Sequence, residues 1–313
     1  MIYTLTLNPA LDREMSVPEI ALDQVLRASS ISNDLGGKGF NVSRALLAMG
    51  TESTALGFVG GAIGDLLSLG LASLGIHTDF VQVSGETRIN ISVVSDDHAH
   101  YFKVNEAGPN VTIGDTTALL EKIRSLTQPN DWWVLAGSLP PGLSPAFIPE
   151  VILLVQAAGA HAAIDMEGLP LRLGCASHVY LAKPNAMEAS ELIGRPINTV
   201  NQAIGAVDKI HAIGAQKLAI SLGKAGAVYS DGEHIWKAVP PEIVEQNPIG
   251  AGDAMLAGLV WGLIKDFDGG EVIRWGVACG AAAASLGGTA MGTLELVKHL
   301  AAKVHIEKAR LKQ

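Results

Sequence analysis

The stretch Asn247-Pro248-Ile249-Gly250-Ala251-Gly252-Asp253, running into Ala254-Met255-Leu256-Ala257-Gly258-Leu259-Val260-Trp261-Gly262-Leu263-Ile264, decides how the rest of the chain is read. Its first half predicts a turn, because Pro248, Gly250 and Gly252 punctuate the backbone. Its second half is apolar nearly all round, which suits a buried helix. A glycine-rich turn feeding a helix leaves free N–H groups pointing outward, and the helix dipole adds positive potential, so this end is a ready anion site. Asp253 falls in the first turn, beside that anion. On spacing alone it is equally an N-terminal charge on a helix. The dipole is expected to hold its pKa below the ordinary value.

The chain has 313 residues, 48% hydrophobic and 17% charged, enough for one large α/β domain or two unequal ones. A net charge of −9 argues against nucleic-acid and anionic-membrane partners, which want a basic face. It does not exclude an anionic substrate, because a few local cations can outweigh the global sign. Cys175 and Cys279 make no disulfide framework, and a reducing cytoplasm is expected. The N-terminus lacks the basic region and cleavage site of a signal peptide. No uninterrupted apolar run is long enough to span a bilayer.

Residues 2–7 predict a strand stopped by Asn8-Pro9, with Asp12 just beyond it, where open α/β sheets put ligand contacts and where turn-capping Asp is also common. Gly36-Gly37-Lys38-Gly39-Phe40-Asn41 is a glycine-rich loop opening onto a helix. It is not a Walker A loop, because Gly39 follows Lys38 where Ser or Thr is required. Residues 87–94, with Arg88 and Asn90, alternate as a half-exposed strand. A turn at Asp96-Asp97-His98 and a return strand over 99–104, carrying Lys103, complete a hairpin. As edge-strand charges, Arg88 and Lys103 could serve only against aggregation. From Thr112 onward strand and helix alternate, which implies βαβ units and a parallel sheet. Gly137-Ser138-Leu139-Pro140, Lys183-Pro184-Asn185 with Glu188, and Ser221-Leu222-Gly223 with Gly226 each follow a strand. Asn185 with Glu188 also has the pattern of an ordinary helix cap. The run around Gly280 suits either a flat ring or tight helix packing. The lysine-rich tail after His299 is expected to be an exposed helix.

Gly-Ala-Gly-Asp opening an apolar helix, Gly-Gly-Lys-Gly-x-Asn-Val at 36–42, Gly-Ser-Leu-Pro at 137–140 and Lys-Pro-Asn-x-x-Glu at 183–188 together resemble the signatures of the ribokinase-like (PfkB) carbohydrate kinases. The resemblance covers nearly the whole chain. Asn8-Pro9-x-x-Asp12 and Thr87-Arg88-x-Asn90 point to its 1-phosphofructokinase and tagatose-6-phosphate kinase branch. It implies a three-layer α/β/α fold over residues 1–313, with a mostly parallel central sheet and a small β-sheet lid from 11–35 and 87–107. It implies Asp253 as catalytic base and Gly250, Ala251 and Gly252 as the anion hole. Asp12, Gly37, Lys38, Asn41, Asn90 and Ser138 would hold the sugar, with Arg88, Lys103 and Arg27 near its phosphate. Lys183, Asn185, Glu188, Ser221, Gly223, Gly226 and Gly280 would bind ATP, Glu188 acting on Mg²⁺ through water. The implied reaction is ATP-dependent phosphorylation of a ketohexose phosphate, D-fructose 1-phosphate foremost, with tagatose 6-phosphate and fructose 6-phosphate as alternatives. A non-catalytic sugar-phosphate-binding regulator is the reading from another class. A homodimer paired through the lid is expected by analogy. The sequence departs from the 1-phosphofructokinase pattern at Ala107, at Asn247-Pro248, where tagatose-6-phosphate kinases often have Asn-Pro, which leaves the exact sugar open, and at Asp165-Met166-Glu167-Gly168. The last lacks the usual Ser, so no site role is assigned there.

Overall fold

The structure is a computed structural model that describes residues 1–97 and 100–309. The chain opens with β1 (Ile2–Thr6), β2 (Ala10–Val17), β3 (Ser30–Gly36) and α1 (Lys38–Ala48). β4 (Thr54–Val59), α2 (Gly61–Ser73), β5 (His77–Thr78) and β6 (Val81–Gln82) precede β7 (Arg88–Ser95) and β8 (Tyr101–Asn105). Next come α3 (Ile113–Leu126), β9 (Trp132–Ala136), α4 (Phe147–Ala157), β10 (His161–Asp165), α5 (Gly168–Ala176) and β11 (Leu181–Ala182). α6 (Ala186–Ile193), α7 (Val200–Ile213), β12 (Lys217–Ser221), β13 (Ala227–Ser230) and β14 (Ile235–Val239) follow. The chain closes with α8 (Ala251–Ile264), α9 (Gly269–Ala284), α10 (Leu294–Ala301) and β15 (His305–Ala309).

The large sheet has the order β15-β14-β13-β12-β11-β10-β9-β1-β4-β5, with β6 also on β4. It is parallel from β5 to β12 and antiparallel from β12 to β15. Its parallel strands are buried on both faces, which explains why they are continuously apolar. Alternate residues feed two cores. Tyr3, Leu5, Trp133 and Leu135 face α3 to α7, whereas Ile2, Trp132 and Val134 face α1, α8, α9 and α10. α8 is apolar all round because it lies between the sheet, α1 and α9, and Gly258 leaves no room for a methyl group against the Cys279 thiol.

The small sheet has the order β3-β2-β7-β8, with β2 and β7 parallel. Its register sets Asp34, Asp12, Asn90 and Asn105 side by side, and Glu14, Ser92 and Lys103 in the next row of the same face. The opposite face carries Leu11, Leu35 and Ile89, which pack against α1 and α2.

Two expectations change. Asp12 is not in a turn but is the third residue of β2. The tail after His299 is not a helix: α10 ends at Ala301, and His305–Ala309 pairs antiparallel with the edge strand β14. The edge offers free backbone partners, and Ile306 turns into the core beneath it. His98 and Ala99, expected in the turn and return strand, lie outside the described residues.

Candidate active site

The C-terminal ends of the parallel strands and the N-termini of α1 and α8 converge on one cleft, the place where open α/β sheets bind ligands. Gly250 caps α8 in the left-handed conformation, with φ 80°, which a glycine tolerates. The Ala251 amide is drawn into the turn and donates to Pro248 O at 3.2 Å. The amides of Gly250, Gly252 and Asp253 have no intramolecular acceptor among the described residues.

Asp253 is 7% exposed, and its Oδ2 accepts from Asn41 Nδ2 at 2.8 Å. Its pKa is raised to about 7, by burial first and then by the Asp165 carboxylate, against the Asn41 hydrogen bond and the charges of Lys38 and Lys183. This corrects the expected depression. A helix dipole stabilises an anion by only about 1 kcal/mol near a surface, less than the cost of desolvating a carboxylate.

Asp165, to which sequence reasoning gave no role, stands at the centre of the site. It is 2% exposed and accepts from Lys38 Nζ at 3.0 Å and from Lys183 Nζ at 2.7 Å. Burial alone would raise its carboxyl, but the two ammonium groups override that and hold it below the ordinary value. Lys38 in turn is held protonated by Asp165 despite its own burial. The signal was present: Asp165 ends a buried strand, as Asp12 was thought to follow one. The Lys183 ammonium also lies beside the start of α8, 3.6 Å from where a Cβ on Gly252 would stand.

Asn185 and Glu188 form a reciprocal cap on α6, the Asn185 amide donating to Glu188 Oε2 at 2.8 Å and the Glu188 amide to Asn185 Oδ1 at 2.9 Å. The cap leaves Glu188 buried, and its pKa is raised by burial and by Asp165. Two buried carboxylates that disfavour each other's charge suit a cation near them, and Mg²⁺ commonly takes one or two carboxylates besides substrate phosphates. Among the described residues no group of three or more His, Cys, Asp or Glu could hold a metal alone.

A cavity of about 1140 Å³ adjoins α8 and is lined by Asn185, Ser221, Gly223, Gly226, Gly252 and Gly280, among others. Asn185 and Ser221 are neighbours through a parallel bridge. Gly280 lines the cavity, and a Cβ there would come to 3.0 Å from Ala251 O, so α9 packs tightly on the start of α8 at this point.

On the sheet face across the cleft, Asn90 Nδ2 donates to Asp12 Oδ1 at 2.7 Å, and Asn90 Oδ1 is buried with no partner among the described residues. Gly36 makes room for them, since a Cβ there would stand 2.4 Å from Asp12 Oδ2 and push that carboxylate aside. Arg88 is braced from behind: Nη2 donates to Asn8 O at 2.9 Å and Nη1 to Glu106 O at 3.1 Å. Its Nη2 also reaches Ser138 Oγ at 3.5 Å, and its Nε is buried with no partner among the described residues. Lys103 is exposed on the same face. Gly37 caps α1, and its carbonyl accepts from the backbone N–H of Asn41 at 3.0 Å. Arg27 is not brought to this group. It is exposed in the connection between β2 and β3, beyond the Val17 end of β2 and away from Asp12.

The model of the pfkB family of carbohydrate kinases matches residues 7–295. The chain belongs to this family. The pfkB kinases similar to it include the 1-phosphofructokinase of Bacillus subtilis, 33% identical over 98% of this chain and 100% of that one. The tagatose-6-phosphate kinase of Staphylococcus epidermidis is 31% identical over 88% of this chain and 89% of that one. Among solved structures, phosphofructokinase-2 from Escherichia coli in complex with substrates and products superposes with a TM-score of 0.90 at 30% identity, covering 96% of this chain and 98% of that one.

Proposed function

We propose that this pfkB-family protein is a kinase that transfers the γ-phosphoryl group of ATP to a free hydroxyl of a ketohexose phosphate. D-Fructose 1-phosphate is the first substrate to test, giving fructose 1,6-bisphosphate. The observation that carries the reading is Asp253, a buried carboxylate with a pKa near neutrality, set between unpaired helix amides and a face of sugar-binding character. The hydroxyl proton passes to the Asp253 carboxylate as the new O–P bond forms and the bond from phosphorus to the ADP oxygen breaks. The amides of Gly250 and Gly252 meet charge developing on the transferred group, where preorganised donors act most strongly. Lys183 and Lys38 offset repulsion between two anionic substrates. Asn185, Ser221 and the glycines at 223, 226 and 280 suit the nucleotide, and Glu188 suits Mg²⁺ through water. That ion, when bound, supplies further positive charge against the phosphate oxygens.

Asp12 and Asn90 are suited to sugar hydroxyls. Arg88, already braced, and Lys103 suit a phosphate already on the sugar, which a plain sugar kinase would not need. The small sheet then acts as a lid that excludes water. Its outer face leaves Ile31 61%, Phe102 45% and Val104 57% exposed, which supports pairing of two copies through their lids. A phosphofructokinase-2 from Escherichia coli is described as tetrameric in its inhibited form. No helix among the described residues is long and apolar enough to cross a membrane. A cytoplasmic location is part of the proposal, supported by two free buried cysteines.

The test is ADP release, coupled to a reporter, with fructose 1-phosphate, fructose 6-phosphate, tagatose 6-phosphate and ribose. Turnover with a ketohexose phosphate above ribose is expected. Binding of a sugar phosphate with no ADP release would favour a non-catalytic binder, and preference for ribose would overturn the choice of substrate class.

A further inference from the structure

Arg44 lies one helical turn beyond Asn41 on α1 and was given no role by the sequence. Its side chain is largely buried, and its guanidinium joins three residues, from β3, from α1 itself and from the connection after α9. Nη2 donates to Asp34 Oδ1 at 2.9 Å, on the strand β3 of the small sheet. Nη1 donates to Thr289 Oγ1 at 2.9 Å, in the connection after α9, and to Asn41 Oδ1 at 3.4 Å. Thr289 Oγ1 donates to Asp34 Oδ2, closing the ring. Asn41 Nδ2 then donates to Asp253 at 2.8 Å.

We propose that Arg44 is a positioning residue for the phosphoryl-transfer step: it holds the Asn41 amide so that nitrogen, not oxygen, faces Asp253, and it ties that amide to β3 through Asp34. The argument is one of donors and acceptors. An Asn amide has one acceptor end and one donor end. Arg44 has only donors, so the end of Asn41 next to it must be Oδ1, which leaves Nδ2 for Asp253. A donor to a carboxylate favours its ionised form, the form that accepts a proton. Without Arg44 the amide is free to turn, and Oδ1 against Asp253 would favour the protonated acid. The other groups facing Asp253 are Lys38 from α1, Asp165 from β10 and Lys183 after β11, and the hydrogen bonds and ion pair of Arg44 among the described residues go to none of them. Asp34 and Thr289 carry the far side of the guanidinium and keep it aimed.

This inference rests on the kinase reading above, and the experiment separates the two. The pH dependence of kcat and of kcat/KM is measured for the wild type, Asp253→Asn, Arg44→Met and Arg44→Lys with the best sugar phosphate. In Arg44→Met the acid-side inflection is expected to move up by about one pH unit, so activity falls roughly tenfold at pH 6.5 and recovers towards pH 9. Arg44→Lys keeps a donor towards Asn41 and is expected to recover part of the shift. Since Arg44→Met could also loosen the fold by stranding Asp34, the double variant Arg44→Met/Asp34→Asn, which removes both charges, is expected to show the same displaced inflection. A lowered Tm with an unmoved inflection in these variants would make Arg44 a structural brace only and overturn the inference. Absence of turnover in the wild type would instead overturn the kinase reading, and full activity in Asp253→Asn would overturn Asp253 as the base and with it the role of Arg44.

Discussion

Asn41 on α1 and Asp253 on α8, 212 residues apart in sequence, are joined by a buried hydrogen bond of 2.8 Å. That bond is the point at which two glycine-rich helix starts become one site. Each start alone is a common feature. Together they hold a carboxylate that burial would otherwise keep protonated at neutral pH.

Asp253→Asn tests the base. Turnover is expected to fall by about 10²–10⁴-fold, with the KM for sugar phosphate little changed. In the wild type, kcat/KM is expected to rise with pH through about 7, where Asp253 ionises. The stability effect has a definite sign. A carboxyl whose pKa is raised from 3.8 to about 7 on folding binds its proton more tightly in the native state, so stability falls as pH rises between those values. Asn removes that loss. Thermal melts should place the variant above the wild type at pH 8, with the gap narrowing towards pH 5. A gap that widens on acidification would mean the pKa is depressed after all.

Asp165→Asn should act in the opposite direction to Arg44→Met. It removes an anion that raises the pKa of Asp253 and frees Lys38 and Lys183 to act on it, both of which lower that pKa. The acid-side inflection is expected to drop by about one pH unit. Stability should drop as well, because breaking a buried pair costs about 3–5 kcal/mol. An inflection that stays in place, read from the same pH series, would separate Asp165 from the chemistry.

Arg88→Ala is expected to raise the KM for fructose 1-phosphate by about 10–100-fold, the worth of one or two charge-assisted hydrogen bonds, while sparing the weaker activity on an unphosphorylated sugar. Equal losses on both sugars, measured side by side, would mean that Arg88 matters only through its grip on the carbonyls of Asn8 and Glu106.

Phe102→Glu probes the outer face of the small sheet. If two copies pair there, a charge on this exposed apolar surface should convert a dimer to a monomer in sedimentation while leaving the melting temperature within a few degrees. An unchanged sedimentation profile would remove the lid as the contact.

The fold was legible because its strands are short apolar runs closed by glycine or proline turns, and the helices between them follow in order. Asp253, Asn41, Lys38 and Glu188 were singled out by the family motifs they stand in, since spacing alone left each open to a plainer reading, and the structure brings their charges and hydrogen bonds together. Arg44 and Thr289 were not, because their partners come from β3 and from a loop more than two hundred residues away. Nothing local marks such a ring. Asp165 was passed over because its neighbourhood lacks the usual Ser, although the strand-end carboxylate itself was there. The pKa of Asp253 was misjudged because the dipole is visible in sequence and burial is not. The terminal strand was missed because an edge partner, not intrinsic propensity, makes it a strand.

The small sheet takes β2 and β7 from distant parts of the chain and lays them parallel, with no tight turn to fix how they align. Side chains alternate along each, so a slip of a single residue would bring Leu11 and Arg13 round to the cleft and send Asp12 outward. One codon gained or lost inside either strand should therefore abolish sugar recognition outright. The exposed connection at 18–29 carries no such constraint, and it is the natural place to graft a tag or reporter.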